Sequence, residues 1–345
     1  MNIQQEVMRI VFRAQEGSAP TKEESSFLLD LPEASIEAGF LKIAADAISR
    51  EKFGNQGILL GQIGVETSPC PGGCKFCSFG EDNTNFPKYQ MPDDEILRRA
   101  VEFTGRGDLF ALFLMTMHEF NFEHLLRVLT LVKKVIPKQV QIVVNIGDFD
   151  RVKADELRAA GVHGAYHVLR LREGIDTKLN PEARVATMRI IRDAGLDFYY
   201  CCEPIGPEHT TKELVDQIFV GIEMGCFQHA AMRRVYVPSS PLAHFGQITE
   251  RRLAQIVAVV SLASLEVKET QSIAVHEPNL LGLVAGANTV YAETGANPRD
   301  TAADTTGHRG LDMSACRKML YESGFGSLLF GDRSTQQLNH ISSIM

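Results

Sequence analysis

Short apolar runs recur along this chain from residue 57 onward, and amphipathic stretches of helical spacing fall between them. The runs lie at 57–66, 109–116, 139–147, 164–171, 197–205, 230–237, 270–275 and 288–292. The helical stretches include 92–105, 120–136, 152–160, 181–194, 211–224 and 249–264. Eight strand–helix units in sequence predict an α/β fold, a parallel (βα)8 TIM-type barrel. In such a barrel the chemistry sits on loops at the C-terminal ends of the strands. A chain of 345 residues is long enough for one barrel of ~250 residues with additions.

Local signals agree with this division. Asp93, Asp94 and Glu95 place acids at a helix start, where the helix dipole favours them. Gly161 and Gly195 fall where helix stops belong. Residues 1–52 read as a helical N-terminal extension or cap. Ile3, Val7, Ile10 and Val11 fall at helical spacing there, as do Ile36, Phe40, Ile43 and Ala44. Gly17 to Thr21 breaks the first helix from the next. The barrel is assigned to 53–325 and a tail to 326–345. The stretch from 296 is rich in Asp, Gly, Thr and Ser until a helix near 313–323, and it is expected to be less ordered.

Composition removes several classes of function. The net charge is −8 and the basic residues are scattered, so the footprint of a nucleic-acid binder is missing. No apolar run reaches the ~18 residues needed to span a bilayer. The opening residues, Met1 to Glu6, are polar and acidic, unlike a secretory signal. The expectation is a cytoplasmic protein.

Seven cysteines make an odd number for a disulfide framework, and three of them crowd between Cys70 and Cys77. Cys70-Pro71-Gly72-Gly73-Cys74-Lys75-Phe76-Cys77 follows the first strand and reads C-x3-C-x2-C. Three thiolates on one short loop can ligate three irons of a cubic [4Fe–4S] cluster and leave the fourth iron open. Pro71, Gly72 and Gly73 let the backbone curl tightly. Zinc is the alternative, but a structural zinc site normally wants four ligands, and the next histidine is His118. Buried inert cysteines are the other.

This loop, placed after the first barrel strand, resembles that of the radical S-adenosylmethionine (SAM) superfamily. The resemblance implies that the open iron chelates the amino and carboxylate groups of SAM. It implies reductive cleavage of SAM to methionine and a 5′-deoxyadenosyl radical, which abstracts hydrogen from an unactivated C–H bond. It also implies a flavodoxin or ferredoxin-type electron donor. The cofactor carries the hard chemistry, and the barrel positions it and keeps water out.

A narrower likeness extends from about residue 35 to about 325. Arg184 to Met188, Arg192 to Leu196 and Pro204 to Thr210 resemble a helix, strand and loop of biotin synthase-like enzymes. Ala285 to Asn288 and Asn297-Pro298 resemble that group's last strand and following loop. The likeness is shared with the hydrogenase maturase and methylornithine synthase branches. It implies that Arg184 pairs with the SAM carboxylate, a role suited to a guanidinium's two parallel hydrogen bonds. A surface helix arginine is the alternative. It places Phe76 near the adenine.

Arg170 resembles a position used around SAM in the maturase-like branch. The glutamate of that pattern falls on Arg172, with Glu173 as its substitute, and a solvated loop is the alternative. Thr116 and Glu119 are candidates to hold the methionine amino group, and His118 to touch substrate or to be structural.

Biotin synthases hold a second cluster with cysteines on the second, third and fifth strands and an arginine on the seventh. Here those regions offer Met115 and Met117, Asn145, Cys201 and Cys202, and Gln271. The ligand set of a biotin-type sulfur donor is absent. Adjacent cysteines on a strand point to opposite faces, so one of Cys201 and Cys202 faces the lumen. That thiol is read as packed, with a second metal site shared with Cys226 as the alternative. Cys316 reads as structural. Gln62, Glu66, Asn83, Thr84, Asn85, Arg233, Arg234, Tyr236, His276 and Glu277 are further pocket candidates.

The expected function is hydrogen abstraction from a small or carrier-protein-bound substrate. Sulfur insertion is placed first, with a carbon-skeleton rearrangement or fragmentation without sulfur nearly level with it. A non-catalytic iron–sulfur or zinc-binding protein is the third reading.

Overall fold

The computed structural model describes residues 2–82, 84, 86–297 and 310–344. Eight strands close into a parallel barrel: β1 (Gln56–Gly64), β2 (Ala111–Met115), β3 (Gln141–Asn145), β4 (Gly164–Tyr166), β5 (Asp197–Ile205), β6 (Gln228–Arg233), β7 (Ser272–His276) and β8 (Thr289–Gly295). Each pairs with the next, and β8 pairs back onto β1 from Ile58↔Thr289 to Gly64↔Gly295. Closure removes the exposed sheet edges that an open sheet would carry. The strands are almost wholly buried, as parallel strands covered by helices must be.

The helices among the described residues are α1 (Ile3–Gln15), α2 (Lys22–Leu29), α3 (Ile36–Lys52), α4 (Asp93–Thr104), α5 (Phe122–Val135), α6 (Arg151–Ala160), α7 (Pro181–Asp193), α8 (Thr211–Glu223), α9 (Glu250–Ala263), α10 (Leu280–Leu283), α11 (Met313–Glu322) and α12 (His340–Ile344). The outer ring follows the expected boundaries to within two residues at each end. Gly161 and Gly195 take left-handed φ values of 93° and 71° just past α6 and α7, as the sequence predicts.

The lumen floor is aromatic. The Phe113 ring lies 5.1 Å from Tyr199 and 5.3 Å from Tyr291, both edge-to-face. Phe110 and Phe227 lie below, and Arg333 covers both rings at 5.4 Å. Full burial of each large ring is worth roughly 1.5–3 kcal/mol, so this layer anchors the closed barrel. The cavity lined by the strand C-terminal ends opens at the other mouth.

The N-terminal helices pack on the barrel's side. α1 starts on a capping box between Asn2 and Gln5 and buries Val7, Ile10, Val11 and Ala14. In α3 the buried face is Ala38, Leu41, Ala45 and Ile48, against α9. Of the apolar set noted in the sequence, Ile36, Phe40 and Ile43 point to solvent, and Ala44 is buried. Both stripes have helical spacing; the one with the small residues allows the close approach to α9 and wins. This contact explains why α9 is buried along almost its whole length from Leu253.

The sheet continues beyond residue 325. Ser327–Leu329 runs parallel to the start of β1, and Thr335–Gln337 returns antiparallel to it. Asn83 and Asn85 lie outside the described residues. So does 298–309, which includes most of the Asp-, Gly-, Thr- and Ser-rich stretch.

Candidate active site

The cysteine loop is held by its own backbone and by the loop after β4. The Cys70 amide donates to Phe79 O at 2.7 Å, and the Glu81 amide returns to Cys70 O at 3.0 Å. The Phe79 amide donates to Cys77 Sγ at 3.3 Å. Gly73 has a φ of 53° and lies against Lys178, so a side chain there would be strained and would meet the lysine stem. The Lys178 amide donates to Gly72 O at 2.8 Å, and the Lys75 amide to Asp176 O at 2.9 Å. Three ion pairs add to this, Lys75 with Asp176 at 3.2 Å and Lys178 with both Glu81 and Asp82 at 2.8 Å.

Cys70, Cys74 and Cys77 are not in disulfides and line one cavity at the C-terminal mouth of the barrel. Phe79, Phe86, Met115, Met117 and Ala296 form an apolar shell against Cys70 and Cys77. Burial pushes the Cys74 thiol up to about 11 and Cys77 higher still. As bare thiols they are protonated and poor nucleophiles, so the chemistry that suits them is ligation, which strips the proton. No three His, Cys, Asp or Glu side chains among the described residues are grouped closely enough to hold one metal ion. Three thiols on one loop match the three irons that a cubane offers to protein ligands, whereas a structural zinc site normally wants four ligands.

The opposite wall comes from the strand ends. The register aligns Met115 with Asn145 and Asn145 with Tyr166. These side chains, with Gln62, Glu203, Met232, His276, Tyr291 and Glu293, line the cavity. Asn145 donates to Gln62 at 3.1 Å, and Gln62 to Glu293 at 3.4 Å. Tyr166 donates to Glu203 at 2.6 Å, and Arg170 Nε lies 3.3 Å from the other oxygen of Glu203.

Arg184 is in the first turn of α7, which Asn180 caps and Pro181 starts. Helical side chains tilt toward the N-terminus, so this position aims the guanidinium at the barrel mouth. It lines the cavity at 3% exposure. Its Nε donates to Val168 O at 3.1 Å and its Nη1 to Asp148 Oδ1 at 3.1 Å. Asp148 also accepts from His167 Nε2 at 2.9 Å and from Thr187 Oγ1 at 3.1 Å. Burial opposes the Asp148 charge, yet the His167 hydrogen bond and the Arg184 charge hold its carboxyl well below the usual range. Burial, helped by Arg184, pulls His167 down to about 3, so the imidazole is neutral beside an ionised aspartate.

Of the residues singled out in the sequence, Phe76, Thr116, Arg170 and Arg184 border the cavity with the three cysteines. His118, Arg234 and His276 border it too. Glu119 and Glu173 are not in its wall. Glu119 is exposed. Glu173 is buried and braces the loop after β4, accepting from the Arg170 amide at 3.0 Å and from Thr177 Oγ1 at 2.6 Å. Glu66 holds the Met117 amide at 2.9 Å outside the lumen. Arg233 points to Glu250, while Arg234 is buried against Glu208 and Gly246 O.

Cys201 and Cys202 are fully buried, and neither borders the cavity. Tyr166 and Glu203 line the wall at this point instead. Cys226 is at the start of β6, where its carbonyl accepts from Thr270 at 2.7 Å. Sequence reasoning did not single out Asp148, Tyr166, His167 or Glu203. A carboxylate at the end of an apolar strand was the available signal for Glu203, and Asp148 follows β3 in the same way.

Residues 67–218 match the Radical SAM superfamily, and this segment is a domain of that class. Among curated proteins the chain is similar to biotin synthase of Rhodopirellula baltica, 26% identical over 219 residues. That match covers 61% of this chain and 60% of the relative, so the chain spans under two thirds of that relative's length. It is 23% identical over 253 residues to biotin synthase of Acaryochloris marina, covering 70% of this chain and 72% of that one. Among solved structures, methylornithine synthase superposes with a TM-score of 0.78 at 17% identity, over 92% of this chain and 96% of that one. The [FeFe]-hydrogenase maturase of Carboxydothermus hydrogenoformans gives 0.75 at 17% identity, over 96% and 81%. At these identities the structural likeness is one of fold. It agrees with the closed (βα)8 barrel predicted from the sequence. Among the described residues no helix is long and apolar enough to cross a membrane.

Proposed function

We propose that this chain is a radical SAM enzyme that abstracts hydrogen from a small polar substrate and rearranges or fragments its carbon skeleton. The observation that carries this is the single cavity bounded on one side by the Cys70, Cys74 and Cys77 thiols and on the other by Arg170, Arg184 and polar strand ends. Bound there, a [4Fe–4S] cluster and SAM supply reductive cleavage of SAM and a radical able to remove hydrogen from an unactivated C–H bond.

The protein's own groups bind, orient and exclude water. Cys70, Cys74 and Cys77 hold the cluster. Arg184 grips the SAM carboxylate through the N–H groups left over from Val168 and Asp148. Phe76 would pack against the adenine, and Thr116 would offer a hydroxyl oxygen to the amino group. Arg170, fixed by Glu203, presents positive charge beside them. Tyr166, Asn145, Gln62 and His276 form the polar wall that receives the substrate. Phe79, Phe86, Met115 and Met117 keep water from the thiols. A flavodoxin or ferredoxin-type protein supplies the electron.

Sulfur insertion into a small or carrier-bound substrate is the second reading, favoured by the biotin synthase relatives. Against it stand Met115 and Asn145 at the ends of the second and third strands, where a sulfur-donating cluster would need thiols, and the fifth-strand Cys201 and Cys202, which do not border the cavity. Anaerobic reconstitution tests both. About four irons per chain, with 5′-deoxyadenosine released on reduction with SAM, supports rearrangement or fragmentation. Clearly more iron, lost on replacing Cys201 and Cys202, would overturn it in favour of sulfur transfer. No 5′-deoxyadenosine at full iron loading would refute radical SAM chemistry altogether.

A further inference from the structure

A guanidinium that must meet an incoming carboxylate has to be held still without being used up. Arg184 has five N–H donors, and two are engaged, by Val168 O and Asp148 Oδ1. Three remain, on a residue that lines the cavity. One oxygen, Asp148 Oδ1, accepts from three side chains on two separate elements. These are His167 just past β4, and Arg184 and Thr187 one helical turn apart on α7. Asp148 itself follows β3. This one carboxylate therefore ties the loop after β3, the end of β4 and the first turns of α7 into one unit.

The geometry of its neighbours fixes the protonation of that unit. With His167 Nε2–H donating to Asp148, His167 Nδ1 is buried without a hydrogen-bond partner. An imidazolium would place a second N–H there with no acceptor, so His167 donates as a neutral ring. The negative charge of Asp148 is left to balance Arg184, whose Nε also lies 3.8 Å from Glu173 Oε2. Gly147, next to Asp148, packs directly on the His118 backbone carbonyl, which pins the aspartate's own backbone.

We propose that Asp148 is a positioning residue that presents Arg184 to the SAM carboxylate, with neutral His167 and Thr187 as its braces. This rests on the reading of Arg184 given above. Asp148 touches no ligand in this scheme. Its effect reaches SAM only through the orientation of the arginine, so it acts on the carboxylate and on no other part of the molecule.

Anaerobic equilibrium dialysis of the reconstituted protein, with SAM and with decarboxylated SAM as probes, reads that selectivity directly. The two probes share adenosine, sulfonium and amine and differ in the carboxylate. Arg184→Ala lowers the preference for SAM over the analogue, and Asp148→Ala lowers it by about tenfold, while affinity for the analogue stays within about threefold. Asp148→Glu keeps the charge but moves the carboxylate by one methylene, and it lowers the preference in the same direction. It is the variant to read should the alanine variant not fold. If Arg184→Ala loses the preference while both Asp148 variants keep it, Asp148 is not a positioning residue and the reading of Arg184 stands. If the Asp148 variants weaken both probes equally, the role is merely structural and the proposal fails. If Arg184→Ala keeps the preference, the reading of Arg184 falls and this inference with it.

Discussion

Arg170 Nε lies 3.3 Å from Glu203 Oε1, and the other oxygen of Glu203 accepts from Tyr166 at 2.6 Å. The loop after β4 and the end of β5 are thus joined across the barrel mouth by a buried charge with both oxygens satisfied. Removing Glu203 leaves Arg170 with Glu173 at 3.9 Å as its remaining counter-charge, and breaking a buried pair costs about 3–5 kcal/mol. Glu203→Ala is expected to lower the unfolding free energy by about 3 kcal/mol in urea denaturation. Arg170→Met combined with Glu203→Leu is expected to cost clearly less than Glu203→Ala alone, and an equal or larger loss would show that the pair is not energetically coupled in this way.

The cysteine loop and the strand cysteines separate by iron content. Replacing Cys70, Cys74 or Cys77 with alanine is expected to abolish reconstituted iron and SAM cleavage together. Cys201→Ala removes only a packed thiol from the interior, so it is expected to cost about 1 kcal/mol of stability and to leave iron content unchanged. Iron measured per chain, beside a denaturation curve, checks both outcomes.

Gly147 has no room for a methyl group. A Cβ there would stand 1.8 Å from the His118 carbonyl oxygen, and a backbone atom cannot move aside as a flexible side chain can. Gly147→Ala is expected to lose more than about 3 kcal/mol of stability, or to lower soluble yield sharply. A variant with wild-type melting behaviour would mean that the loops after β2 and β3 yield easily.

Stability is expected to fall in mild acid through His229. This ring is fully buried, its Nδ1 is 2.8 Å from Ser264 Oγ, and burial pulls its pKa down to about 3 from an ordinary 6.5. A folded-state value below the unfolded one means that the unfolded chain binds the extra proton between those limits. The stabilising contribution is therefore complete above pH 6.5 and is lost as pH falls toward 3. At pH 5 the loss amounts to about 2 kcal/mol. Urea midpoints at pH 7 and pH 5 read the effect, and His229→Gln is expected to flatten that part of the slope. An unchanged slope would assign the acid sensitivity to other groups.

The alternation of apolar runs and amphipathic stretches was sufficient to place the barrel, since strand and helix periods are local properties of the chain. The C-x3-C-x2-C loop was equally legible, because its ligands are contiguous and its glycines report a tight turn. Arg184 and Arg170 were found by resemblance, and both line the cavity. Glu119 and Glu173 were chosen on the same grounds, yet neither does. Position at a strand end does not say whether a side chain turns inward or braces its own loop.

What the sequence alone determined is thus the period of each element, the barrel class and the cluster-type loop. Those features depend on residues within a few positions of one another. Only the tertiary structure decided that Asp148 gathers His167, Arg184 and Thr187 on one oxygen, and that Glu203 joins Arg170 to Tyr166. It also decided that the small-residue face of α3, rather than Ile36, Phe40 and Ile43, meets α9. These outcomes rest on side chains from different strands and helices brought together by closure of the barrel. Their partners are set by distance in space, which no local pattern of residues records.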